Sequence, residues 1–193
     1  GDGLYETLSA SGGRSFSIWD ENGKLVFDSG NDLEKIVRER LPNNYHASNT
    51  VNAGDNRSDD KGTEPEGLTI GKIGDKIYAF IGLERVGGVV VYDISQPDAP
   101  VFLDYVNNRD FAFAPYVGDD DDNAVDTTNV HKSKDLGPEG LVFVSGMDSP
   151  TGSPLLIVAN EVSGTTTVYQ MQGNFPLHPV SDLIVRSGTD ALH

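Results

Sequence analysis

The sequence contains no cysteine. That excludes a disulfide scaffold, a thiol nucleophile and any Cys-ligated zinc or iron–sulfur centre. Basic residues are scarce: 14 Lys and Arg stand against 30 Asp and Glu, for a formal net charge of −16. A surface of that sign repels phosphate backbones and anionic lipid, so neither nucleic acid nor a membrane surface is expected as a partner. Cations and basic partners are favoured instead. Long apolar runs are missing. Stretches such as Val86–Tyr92 and Leu155–Ala159 fall far short of the roughly 20 residues a spanning helix needs, so no direct membrane insertion is expected. The chain opens Gly1-Asp2-Gly3 without a basic or apolar leader; it is expected to carry no signal peptide and to be an excised module. Catalytic signatures are lacking as well. There is no G-x-S-x-G, H-E-x-x-H, G-x-x-x-x-G-K-[ST] or G-x-G-x-x-G, and His46, His131, His178 and His193 have no evident partner pattern.

What is present points to short strands. In 193 residues, 22 Gly and 10 Pro punctuate the chain, which fits one domain with many turns. Only Asn31–Leu41 has helical periodicity, with Leu33, Ile36, Val37 and Leu41 on one stripe and Pro42 as a stop. Asn31 is expected to cap that helix, with Glu34 three residues on. Strand-like runs occupy 15–20, 24–28, 76–83, 88–94, 101–106, 140–145, 155–159 and 165–171, each β-branched or aromatic and bounded by turn residues. Residues 43–63 and 112–136 read as two long polar loops, and loops of that length are usually functional or disordered.

The strands repeat. Pro65-Glu66-Gly67-Leu68 is echoed by Pro138-Glu139-Gly140-Leu141, an offset of 73, and Glu84…Tyr92 by Glu161…Tyr169, an offset of 77. Asp20 and Asp28, each behind an aromatic residue, give a weaker third echo of Asp93 and Asp104. Successive short strands with tight turns are the texture of a β-propeller blade, and 193 residues are too few for a full seven-bladed ring. The expected fold is mainly β: propeller-blade-like antiparallel repeats in a partial or open propeller, one short helix near 31–41, and two long polar loops. Residues 1–193 are expected to form a single ligand-binding module, monomeric and taken from a larger surface protein.

Equivalent positions of a repeat come to one end of the fold. Glu66, Glu84, Glu139 and Glu161 are therefore expected to gather on one rim, with Asp59 and Asp60 just ahead of the first turn. Converging carboxylates cannot all stay ionised without a cation between them, and hard oxygen donors suit Ca²⁺. The competing reading is that each Glu caps its own turn or pairs with Arg57, Arg85 or Arg109. Gly118–Asp126 superficially matches an EF-hand loop through Asp119, Asp121, Asn123 and Asp126. Ala124 and Val130 break that match, so a solvated acidic turn is favoured. Arg85 and Asn160 flank the repeat glutamates and are candidates for gripping a peptide carboxylate. Phe111, Phe113 and Tyr116 are candidates for a pocket wall, against the plain reading that they are core.

The runs Arg57–Leu68, Ile81–Gly88, Leu136–Leu141 and Val158–Thr165 together resemble the choice-of-anchor I family of bacterial secreted or surface-anchored proteins. The resemblance covers about residues 11–172 and implies a propeller-like body and an extracellular, cell-surface location. It also implies a kinship with the peptide-binding module of large calcium-dependent RTX-type adhesins. In those modules a peptide's C-terminal carboxylate is held through Ca²⁺, so peptide or protein C-termini on a host or neighbouring cell are the implied partners. The alternative is a fragment of a secreted phosphatase-like hydrolase.

Overall fold

The computed structural model describes residues 12–117, 124–126, 128–171 and 177–179. The described elements are β1 (Ser17–Trp19), β2 (Leu25–Asp28), α1 (Asp32–Arg40), β3 (Pro65–Ile73), β4 (Lys76–Leu83), β5 (Val89–Asp93), β6 (Val101–Val106), β7 (Tyr116–Val117), β8 (Ala124–Val125), β9 (Pro138–Val144), β10 (Leu155–Asn160), β11 (Thr165–Met171) and β12 (Leu177–Pro179). The mainly β expectation holds. Two four-stranded antiparallel meanders dominate, β3-β4-β5-β6 and β9-β10-β11-β12, beside the hairpins β1-β2 and β7-β8. The β7-β8 hairpin lies inside the stretch expected to be one long loop; each strand is two residues long, too short to leave a period in the sequence.

The repeat is real in register. Thr69 pairs with Phe80, and Phe80 with Val91. In the second sheet Val142 pairs with Ile157, and Ile157 with Val168. These are the same pairings displaced by the sequence offsets. Both units also carry a bulge beside their Pro-Glu-Gly turn. Their β4-β5 and β10-β11 turns close alike: Gly87 N–H donates to Leu83 O, and Gly164 N–H to Asn160 O, each at 2.9 Å. Both glycines have positive φ, 88° and 66°, a conformation a side chain would resist. The weaker echo also has a structural basis, because β1-β2 is a hairpin bulged beside Trp19 as β5-β6 is bulged beside Tyr92.

The first sheet is the centre of the molecule. Every residue of β5 is buried, because both faces are covered. On one face Ile81, Leu83, Val90, Tyr92 and Tyr105 pack on Leu33, Ile36 and Val37 of α1. On the other, Tyr78, Phe80, Val89 and Val91 pack on Leu156, Val158, Tyr169 and Met171 of the second sheet. Burial of these side chains is worth about 1.5–3 kcal/mol each, so the two clusters carry the fold. The sheets approach closely where β9 crosses β3 and β4. A Cβ on Gly82 would lie 2.9 Å from Pro138 O, and one on Gly71 would strike the Phe143 ring.

α1 departs from expectation at its start. Asn31 makes no side-chain capping bond; its carbonyl accepts Lys35 N–H instead. Glu34 is diverted from any capping role by Arg14, whose Nη1 donates to Glu34 Oε1 at 2.7 Å.

Candidate functional site

The four repeat glutamates meet at one end of the two sheets. The bulge between Pro65 and Leu68 re-aims the side chain of Glu66, as bulges commonly do beside sites. Glu66 and Glu84 lie within hydrogen-bond reach of one another, and so do Glu139 and Glu161. Glu66 also acts electrostatically on Glu139, which links the two pairs into a row.

Environment separates the members. Glu84 is 8% exposed, and burial, followed by its contact with Glu66, pushes its carboxyl up to about 7. Two carboxylates in contact cannot both ionise cheaply, and the buried Glu84 is the one that holds its proton. Glu139 is exposed, and the Glu161 charge raises it above the ordinary carboxylate range.

A fifth carboxylate, Glu64, anchors the row and escaped the sequence reading. It is 6% exposed, accepts a hydrogen bond from Arg57 Nη2 at 2.7 Å and forms an ion pair with Arg85, whose Nε lies 3.2 Å away. Burial works to raise its pKa, but these guanidiniums outweigh burial and hold it below its ordinary value. Glu64 has φ 50°, whereas the corresponding residue in the second unit is Gly137 with φ 70°. The backbone role is the same in both, since Glu84 N–H donates to Glu64 O and Glu161 N–H to Gly137 O. A non-glycine residue held in this left-handed conformation is strained, and its ion pairs offset that strain. The clue in the sequence was the mismatch of Glu64 with Gly137 in otherwise parallel units.

The remaining candidates are placed as follows. Arg85 turns inward, with Nε 3.4 Å from Glu84 as well as near Glu64; it is the rim salt bridge of the competing reading. Asn160 is buried, and its amide donates to Thr165 and Thr167 hydroxyls at 3.1 Å, so its side chain braces the second sheet. Asp60 pairs with Arg57 at 2.6 Å, while Asp59 is exposed on the same turn. Among the described residues Arg109 pairs with no glutamate: it is 6% exposed and donates to Arg85 O and Asn52 Oδ1. Its guanidinium sits 4.5 Å over the Phe111 ring, which joins Phe111 to the Arg85 turn. Phe113 lies under Lys132, and Tyr116 pairs with Val125 in the small hairpin. Asp119, Asp121 and Asn123 lie outside the described residues; Asp126 spends its carboxylate on the Thr128 and Asn129 N–H groups.

His46, a residue without a partner pattern in the sequence, has partners in the fold. Its Nδ1 is 2.7 Å from Ser58 Oγ and its Nε2 3.8 Å from Glu34. Burial lowers its pKa.

Hard oxygen donors in a row suit a cation such as Ca²⁺. Among the described residues, however, no three of the acidic or imidazole groups are arranged as they stand to hold a metal ion. The glutamates are paired two and two, Glu66 with Glu84 and Glu139 with Glu161.

Residues 1–97 match the choice-of-anchor I domain. Gigasin-3a of Magallana gigas is 28% identical over 178 residues, which is 89% of this chain and 60% of that protein. The chain thus spans about three-fifths of that relative's length. No solved structure matches.

Proposed function

Because the chain belongs to the choice-of-anchor I family, we propose that it is a surface-associated binding module of bacterial type, working outside the cell. Ca²⁺ is its cofactor and a peptide C-terminus its ligand. The observation that carries this reading is the glutamate row. The Glu84 carboxyl is pushed up to about 7 and that of Glu139 is raised, so a divalent cation seated among the four glutamates has negative charge to gain by displacing protons from these two. When bound, the ion supplies an electrophilic anchor for an anionic oxygen ligand. The chain's own part is to hold the acceptors in place. Arg57 and Arg85 fix Glu64, Glu64 receives the turn at Glu84, and the two bulged Pro-Glu-Gly turns present Glu66 and Glu139.

A carboxylate at the end of an extended peptide fits such an anchor better than a mid-chain amide does, because it is a charged oxygen donor. The test compares short peptides with their C-terminally amidated twins, in Ca²⁺ and in EDTA. Binding on the order of micromolar Kd, equivalent to about −8 kcal/mol, is expected only for the free acid and only with Ca²⁺. Equal binding of the amidated peptide would end the carboxylate reading. Turnover of p-nitrophenyl phosphate without peptide binding would favour a hydrolase.

A further inference from the structure

The polar loop after α1 folds back on the helix and delivers His46 to it. Asp55 N–H donates to Tyr45 O at 2.8 Å and Arg57 N–H to His46 O at 2.9 Å, so the loop closes around this residue. His46 is 7% exposed and has φ 52°, a left-handed conformation that costs a non-glycine residue energy and recurs at functional sites. Its tautomer follows from its neighbours. The Ser58 hydroxyl has a single proton and donates it to Asp55 Oδ1, a carboxylate that can only accept. The 2.7 Å bond between His46 Nδ1 and Ser58 Oγ is therefore donated by the ring. Neutral imidazole has one N–H, so Nε2 carries a bare lone pair. That atom is buried and has no hydrogen-bond partner. What faces it, 3.8 Å away, is Glu34 Oε1, another acceptor.

Two acceptors turned toward one another leave a place for something electron-poor between them. His46 and Glu34 border a cavity of about 180 Å³, whose wall also includes Asn31, Lys35, Arg38 and Tyr45 but not Ser58. The cations of that wall are engaged: Lys35 Nζ lies 3.4 Å from Asp32, and Arg38 sits 5.3 Å over the Tyr45 ring. We propose that His46 Nε2 and Glu34 hold a divalent transition-metal ion of the Zn²⁺ class at the floor of this cavity. An imidazole nitrogen suits Zn²⁺, whereas Ca²⁺ takes oxygen ligands, so the site is separate from the glutamate row. A tetrahedral Zn²⁺ with bonds of about 2.0–2.1 Å sets its ligand atoms about 3.4 Å apart, so this pair has to close by only about 0.4 Å. The outer bonds are those that support metal ligands: Nδ1 is tied to Ser58 and through it to Asp55, and the Glu34 carboxylate accepts from Arg14 Nη1 at 2.7 Å. Two side chains leave the remaining coordination positions to water or to an exogenous ligand entering from the cavity, and Lys35 and Arg38 favour an anionic one.

The probe is Zn²⁺ alone, titrated calorimetrically into the whole chain with excess Ca²⁺ present to fill the glutamate row. Saturable binding with Kd on the order of 10 µM is expected, with His46 Nε2 shifted in ring ¹⁵N spectra. His46→Asn keeps a residue that tolerates positive φ and should weaken binding roughly tenfold or more. Glu34→Gln should also weaken it, and because that position is only half-buried it decides the matter if His46→Asn fails to fold. Ser58→Ala frees the tautomer and should cost roughly tenfold, with recovery in Ser58→Thr. Glu84→Gln should leave Zn²⁺ binding unchanged. Absence of saturable binding, or binding unchanged by His46→Asn and Glu34→Gln, would overturn the proposal. So would loss of Zn²⁺ binding in Glu84→Gln, which would assign the ion to the glutamate row. A protonated His46 Nε2 in the metal-free chain at neutral pH would overturn it too, since a proton would then fill the place.

Discussion

Glu84→Gln should stabilise this protein at alkaline pH, an unusual direction for a buried substitution. The Glu84 carboxyl is raised from 4.5 to about 7 by burial first and by Glu66 second. A group whose folded pKa lies above its unfolded value contributes stability that is fully present below the unfolded pKa. That stability is lost as pH rises through the folded one. At 1.36 kcal/mol per pKa unit, ionising Glu84 costs the native state about 3 kcal/mol between pH 4.5 and pH 8. Glutamine retains a hydrogen-bonding partner for Glu66 and carries no charge. It gives up the attraction to Arg85, 3.4 Å away, so a net gain of about 2 kcal/mol is expected at pH 8 in EDTA. For a chain of this size that raises Tm by about 4–8 °C. At pH 5 Glu84 is already protonated, and the variant should melt with the wild type. With Ca²⁺ at about a hundredfold above Kd the wild type gains about 2.7 kcal/mol by linkage, and the variant much less. Thermal melts followed by circular dichroism at pH 5 and pH 8 measure all of this. A variant that melts at or below the wild-type temperature at pH 8 in EDTA would refute the argument from the raised Glu84 carboxyl.

Gly67→Ala should destabilise by about 1–3 kcal/mol through overpacking against Leu141 and the Glu139 carbonyl, whereas Gly140→Ala, in the second Pro-Glu-Gly turn, where a Cβ would meet only Ala159, should cost under about 1 kcal/mol; urea unfolding separates them. Glu64→Gly relieves the positive φ but strips Arg57 and Arg85 of a buried counter-charge, for a net loss of about 2 kcal/mol. It also removes one of the negative charges that raise Glu84, so the fall in stability between pH 5 and pH 8 should become shallower.

The blade-like units were legible because each strand is short, β-branched and fenced by Gly, Pro or Asp, so that a repeat of pairings appears as a repeat of letters. The meeting of Glu66 with Glu84 and of Glu139 with Glu161 followed from that repeat alone. What the repeat could not disclose was which side of each sheet is covered. Burial of the first sheet on both faces depends on α1 and on the second sheet, which come from other parts of the sequence. The roles of Glu64, Arg57 and Arg14 rest on ion pairs between loops, and such contacts leave no periodic trace. Arg85 and Asn160 stood at the right positions, yet their polar atoms are engaged inside the fold, by Glu64 and Glu84 and by two threonines. Side-chain direction at a strand end is set by bulges that the sequence does not mark.

The central claim, that a cation displaces protons from the glutamate row, is tested most directly by titration calorimetry of Ca²⁺ into the whole chain at pH 7. Run in buffers of different ionisation enthalpy, the experiment counts protons released on binding. The expected result is saturable binding that releases a fraction of a proton or more, with the release shrinking at pH 9 and much reduced in Glu84→Gln. Binding with no proton release, unchanged by Glu84→Gln, or no Ca²⁺ binding at all, would contradict the claim.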